Sequence, residues 1–167
     1  MVSEAMMYSE NKIEMYEEVV LQIKGLLEDC PHVIANLANV SAVLNQAMKD
    51  INWVGFYVME EGQLVLGPFQ GKAACVEIKV GKGVCGTAVA EDKVQLVKDV
   101  HAFPGHIACD SASNSEIVLP IHVKGAVWGV LDIDSPLLGR FDKEDKEGLE
   151  AIVKVIEEML FCNQNNK

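Results

Sequence analysis

The sequence contains no apolar run of about eighteen residues, the minimum for a membrane-spanning helix. Basic residues are scarce beside acidic ones. The formal net charge of −11 excludes a phosphate-backbone partner, which would need clustered Lys and Arg. No internal repeat and no low-complexity linker interrupts the chain. The opening "MVSEAMMYSENK" places acids early and lacks an apolar centre, so it does not read as a secretory signal, and the cytoplasm is the expected location. No CxxC pair occurs among Cys30, Cys75, Cys85, Cys109 and Cys162, which argues against a zinc ribbon or a thioredoxin-type site. In a reducing compartment permanent disulfides are rare, so a pair among these thiols would be chemical rather than structural.

What remains is an ordinary globular composition, half apolar, and 167 residues are enough for one domain with its own core. Apolar spacing predicts a helix between Ser3 and Cys30 with Ile13, Tyr16, Val19, Val20, Ile23, Leu26 and Leu27 inward. A second helix carries Val33, Leu37, Val40, Leu44 and Met48. "INWVGFYVM" alternates as a strand, Trp53 and Tyr57 on one face, Val54 and Phe56 on the other. "LVLGPF" and "CVEIKV" read as further strands, "GKGVCGTAVAEDK" as a glycine loop entering a short helix, and "VQLV" as a short strand. "EIVLPIHV" and "AVWGVLDID" form a hairpin about Lys124-Gly125. A final helix starts at "FDKED", Asp142 as N-cap and Phe141 as staple, burying Leu149, Ile152, Val153, Ile156 and Leu160. The order predicts an α+β fold: a central antiparallel β-sheet with N- and C-terminal helices packed mostly on one face. One domain, 1–167, then comprises a helical segment 3–48, a sheet with its loop 51–135, and a helix 142–162.

The segment from Asp99 to Ser115 is long and irregular, and such loops are more often functional than idle. It carries Cys109, the best candidate nucleophile, because a reactive thiol needs partial exposure. Cys75, near a strand start, offers a second thiol, whereas Cys30 and Cys162 read as small buried hydrophobes. Asp132 and Asp134, two apart, project from one strand face, and Glu116 opens the neighbouring strand. Acids are depleted in strands, and burying them costs free energy unless each finds partners. Three like charges held close raise at least one pKa, leaving a neutral acid able to donate a proton. "GKGVCG" matches a dinucleotide fingerprint, but no parallel βαβ unit follows it, so its glycines are read as structural. His101, His106, Cys109 and Asp110 fit no standard zinc spacing, and neither a metal nor a cofactor is expected. A mononuclear centre on that loop remains the minor alternative.

"INWVGFY", "LGPFQGKAACVEI", "GKGVCGTA", "DVHAFPGHIACDSASNSEIVLPI" and "GVLDIDS", in this order, resemble the GAF-domain free methionine-(R)-sulfoxide reductases. The resemblance implies a GAF-like fold and an enzyme, against the alternative of a non-catalytic GAF small-molecule sensor. By position it makes Cys109 the catalytic cysteine, Cys75 the resolving one and Cys85 a third family thiol. It makes Glu116, Asp132 and Asp134 the carboxylates that bind and protonate the sulfoxide, and Trp53 and Tyr57 the aromatic side of the pocket. Ala73 and Glu77 depart from the family pattern, which has proline and a basic residue there. The implied reaction passes through a cysteine sulfenic acid and an intramolecular disulfide, recycled by thioredoxin. A homodimer is implied by the resemblance alone.

Overall fold

A computed structural model describes residues 7–106 and 111–161. The elements run α1 (Lys12–Leu27), α2 (Val33–Ala47), β1 (Trp53–Glu60), β2 (Gln63–Gly71), β3 (Glu77–Lys79), α3 (Gly83–Glu91), β4 (Gln95–Val97), β5 (Ser115–Val123), β6 (Ala126–Ser135) and α4 (Lys143–Phe161), with a 3-10 turn at Val100–Ala102. Six strands form one sheet in the order β3-β2-β1-β6-β5-β4, and every neighbouring pair is antiparallel. The expected α+β class with an antiparallel sheet is therefore the observed one. Among the described residues, no helix is long and apolar enough to cross a membrane.

The two sheet faces do different work, and the alternation of β1 decides which residue serves which. Val54 and Phe56 point into the larger core, where α1, α2 and α4 pack with Ile117, Leu119, Leu131 and Ile133. Trp53 and Tyr57 point the other way, to a smaller cluster with Val84, Cys85 and Ala88 of α3 and with Val118 and Val130. Three helices thus cover one face and the short α3 covers the other.

Two expectations need correction. α1 is shorter than Ser3–Cys30, and its Ile13 and Leu26 are 55% and 38% exposed. The apolar stripe of α1 is wider than the surface available to cover it, so Met15, Tyr16, Val19, Ile23 and Leu27 fill the core instead. The strand read from "CVEIKV" pairs only over Glu77–Lys79. Ahead of it the Val76 carbonyl still accepts from the Leu66 amide of β2 at 2.9 Å, but the Cys75 carbonyl turns to the Tyr57 hydroxyl at 2.9 Å.

The start of α4 follows the sequence closely. The Asp145 amide donates to Asp142 Oδ1 and the Asp142 amide to Asp145 Oδ2, each at 3.0 Å, a reciprocal cap. Phe141 beside it is buried. The Asp145 carboxylate also accepts from Tyr16 Oη at 2.7 Å, Lys12 Nζ at 2.9 Å and Arg140 Nη1 at 3.2 Å, tying α1 and the β6–α4 connection to α4. Its side chain is fully buried, so removing it takes one ion-pair partner from Lys12, another from Arg140, and the acceptor from the Tyr16 hydroxyl. Asp145→Ala should lower the unfolding free energy by about 3 kcal/mol in urea denaturation, and a loss below about 1 kcal/mol would show the cluster to be solvated.

Candidate active site

On the α3 side of the sheet, register brings the acids together. Glu116 on β5 is the cross-strand partner of Asp134 on β6. Asp134 also faces Trp53 on β1, while Asp132 lies opposite Gly55 and Val118. A glycine at 55 leaves space beside Asp132, and Phe69 from β2 leans into it: a Cβ there would lie 2.3 Å from Phe69 Cβ. Phe69 stacks on Trp53 with ring centroids 5.1 Å apart, and Trp53 on Tyr57 at 5.9 Å.

These side chains enclose a cavity of about 50 Å³, lined among others by Trp53, Tyr57, Cys85, Glu116, Asp132 and Asp134. Six sequence-predicted site residues are therefore gathered at one place. Two more are located differently. Cys75 sits in the segment that borders the cavity at Ala73 and Ala74, and it is disulfide-bonded. Cys109 lies outside the described residues, as do Asp110 and Cys162. The described flanks of the Cys109 loop, His106 and Ser113, both line the cavity. The base of that loop is tied: the Val100 amide donates to the Asn114 carbonyl at 2.9 Å, and His101 Nε2 lies 3.1 Å from Asn114 Oδ1. Cys30 is a half-buried free thiol, away from the cavity.

Electrostatics set the character of the site. Glu116 is 7% exposed and Asp132 5% exposed. Burial, reinforced by Asp132 and Asp134, pushes the Glu116 carboxyl well above the usual carboxylate range. Burial also raises Asp132, against the opposing pull of hydrogen bonds with Glu116 and Cys85. Asp132 Oδ1 is sealed from solvent and has no hydrogen-bond partner among the described residues. The Cys85 thiol is pushed up by burial and by the same acids, so it stays protonated at neutral pH. The cluster holds protons in a water-poor place, the condition for a general acid.

Sequence reasoning left several features unread. Lys82, Gly83 and Val84, at the N-terminal end of α3, line the cavity. The signal was the glycine loop "GKGVCG", whose glycines read as letting the backbone turn tightly and approach a pocket, with no role given to Lys82 or Val84. That reading holds at Gly86, where a Cβ would meet the Lys79 carbonyl oxygen at 2.4 Å. Trp53 and Tyr57 were read as pocket wall, yet their polar ends also anchor the Cys75 segment. Trp53 Nε1 donates to the Lys72 carbonyl at 3.1 Å, and Tyr57 Oη to that of Cys75. Among the described residues, a metal-compatible group lies at Cys85, Glu116 and Asp132 rather than at the histidines.

Residues 16–160 match the family model described as GAF domain. The chain is 55% identical over 157 residues to the Escherichia coli (strain K12) protein called free methionine-R-sulfoxide reductase, covering 94% of this chain and 95% of that one. Among solved structures, it resembles the Neisseria meningitidis free methionine-R-sulfoxide reductase in complex with its substrate. The TM-score is 0.92 at 41% identity, over 98% of this chain and 99% of that one. The Staphylococcus aureus fRMsr complex with substrate aligns with a TM-score of 0.83 at 57% identity, over 87% and 95% of the two chains.

The buried acids make stability depend on pH. Glu116 and Asp132 hold protons in the folded state that the unfolded chain has released, so stability falls as pH rises above the ordinary carboxylate range, until the raised folded values are passed. Glu116→Gln, neutral in both states, should flatten that fall. Urea midpoints between about pH 5 and pH 8 would test it, and parallel profiles for variant and wild type would refute it.

Proposed function

The chain belongs to the free methionine-R-sulfoxide reductase branch of the GAF domain family, and from that premise we propose that it reduces free L-methionine-(R)-sulfoxide to methionine. The observation that carries the reading is the acid cluster of Glu116, Asp132 and Asp134, with Glu116 and Asp132 holding protons, on a cavity also lined by Trp53 and Tyr57. A sulfoxide oxygen leaves poorly until protonated, so the attack of a thiolate on the sulfur needs an acid acting in step. Cys109, on the loop whose two flanks reach the cavity, attacks the sulfoxide sulfur while Glu116 gives its proton to the oxygen. The sulfur–oxygen bond breaks, methionine departs, and Cys109 is left as a sulfenic acid. Cys75 condenses with it, water leaves, and a disulfide forms; the disulfide-bonded state of Cys75 supports this step. A dithiol, thioredoxin by family resemblance, restores both thiols by exchange in the cytoplasm.

Selection for the free amino acid follows from two sets of groups that line the cavity. The acidic side suits the α-ammonium, with Asp132 and Asp134 its partners. Lys82 and the amide-rich N-terminal end of α3 suit the α-carboxylate, since a helix N-terminus favours negative charge. A residue inside a peptide offers neither charge.

Consumption of NADPH coupled through thioredoxin and its reductase should follow the free R sulfoxide and not the free S sulfoxide or a sulfoxide-containing peptide. Absence of turnover with all three would sink the proposal and leave the sensor reading. Cys109→Ser should abolish turnover. Cys75→Ser should release about one equivalent of methionine and stop when thioredoxin is the only reductant. Equal multiple-turnover rates for Cys75→Ser and wild type would remove the resolving role.

A further inference from the structure

We infer that Cys85, Glu116 and Asp132 form a binding site for a thiophilic divalent cation of the zinc type, and that the ion holds the enzyme in an inactive state. One ligand atom from each residue, the Cys85 sulfur and one oxygen of each carboxylate, lies within 4.8 Å of the other two, and all three residues are buried. A tetrahedral shell with a Zn–S bond of about 2.3 Å and Zn–O bonds of about 2.0–2.2 Å needs ligand separations of roughly 3.3–3.6 Å. The 4.8 Å bound exceeds the upper end of that range by about 1.2 Å, which is the most that any pair would have to close. The three residues come from α3, β5 and β6, so the ion would bridge the helix to the sheet.

A second observation points to a ligand. Asp132 Oδ1 is buried, has no hydrogen-bond partner among the described residues, and belongs to a side chain lining the cavity. A buried carboxylate oxygen without a donor is costly, and a cation is one occupant that satisfies it. The donor set selects the cation. One thiolate with two carboxylates suits zinc or cadmium, whereas magnesium and calcium prefer all-oxygen shells of six or more ligands. Three ligands leave a fourth position open to water in the cavity.

The charge balance is favourable. On binding, the thiol and whichever carboxyls are protonated release their protons to solvent, and three anionic ligands meet a doubly charged ion. No electron moves and no covalent bond within the protein breaks. Inhibition follows because the ion takes Glu116 and Asp132 out of proton donation and ammonium binding. That consequence rests on the proposed reaction, but the binding itself does not. The cation is therefore an inhibitor and not a resident cofactor.

Cadmium, as a spectroscopic stand-in for zinc, tests binding independently of turnover. Titrated into the protein with its Cys75 disulfide intact, cadmium should produce a sulfur-to-metal charge-transfer band in the ultraviolet. The band should persist in Cys30→Ser, vanish in Cys85→Ser, and require about tenfold or more cadmium in Asp132→Asn. Magnesium should neither produce nor displace it. Anomalous diffraction from a cadmium-soaked wild-type crystal serves if the Cys85 variant fails to fold: the ion should lie within about 2.5 Å of the Cys85 sulfur. No band, a band unchanged by Cys85→Ser, or an ion located elsewhere overturns the site. If the ion binds there but zinc leaves reduction of the R sulfoxide unaffected, the inhibitory role is overturned.

Discussion

Glu116 and Asp134 are placed directly across from one another on adjacent strands, with Asp132 one pleat away; Glu116 and Asp132 are buried and Asp134 is half-buried. Three carboxylates so placed cannot all be ionised, because burial withholds the solvation that would separate their charges. Retention of protons is thus a property of the register between β5 and β6, not of any one residue. A slip by one residue would turn the acids to the helical core and the core aliphatics to the cavity, so the pairing that closes the fold also sets the acidity of the site.

The rest of the molecule supports that pairing. β6 lies at the middle of the sheet, bonded to β1 on one side and β5 on the other, and three helices cover its far face. The Asp145 cluster fixes how α1 and α4 meet over that face. On the near face, α3 contributes both a lid of small side chains and the Cys85 thiol. One face of the sheet is devoted to stability and the other to chemistry, which lets the chemical face carry charges that a core would reject.

Much of this was legible in the sequence because the informative signals were local. The two-residue period of "INWVGFYVM" assigned both faces of β1, and the same period put Asp132 and Asp134 side by side. Lys124-Gly125 marked its hairpin, and "FDKED" marked the cap that Asp142 and Asp145 form beside a buried Phe141. The wholesale gathering of the site was carried by family resemblance, since nothing local states that β1, β6 and β5 are neighbours. What stayed hidden depended on competition between partners. The early part of "CVEIKV" has strand-forming residues, but Tyr57 captures the Cys75 carbonyl. Ile13 and Leu26 keep helical spacing, yet among the described residues they stay partly exposed. The N-terminal end of α3 could not be assigned to the cavity before its orientation over the sheet was known.

The dual use of Trp53 and Tyr57 has a consequence for how this scaffold can change. Each ring lines the cavity, and each ring's polar atom grips the backbone that carries Cys75. Recasting those aromatics to admit bulkier compounds would also loosen the backbone that carries Cys75. The width of the cavity and the hold on the Cys75 segment are mechanically joined here, and a lineage that widened the one would have to rebuild the other.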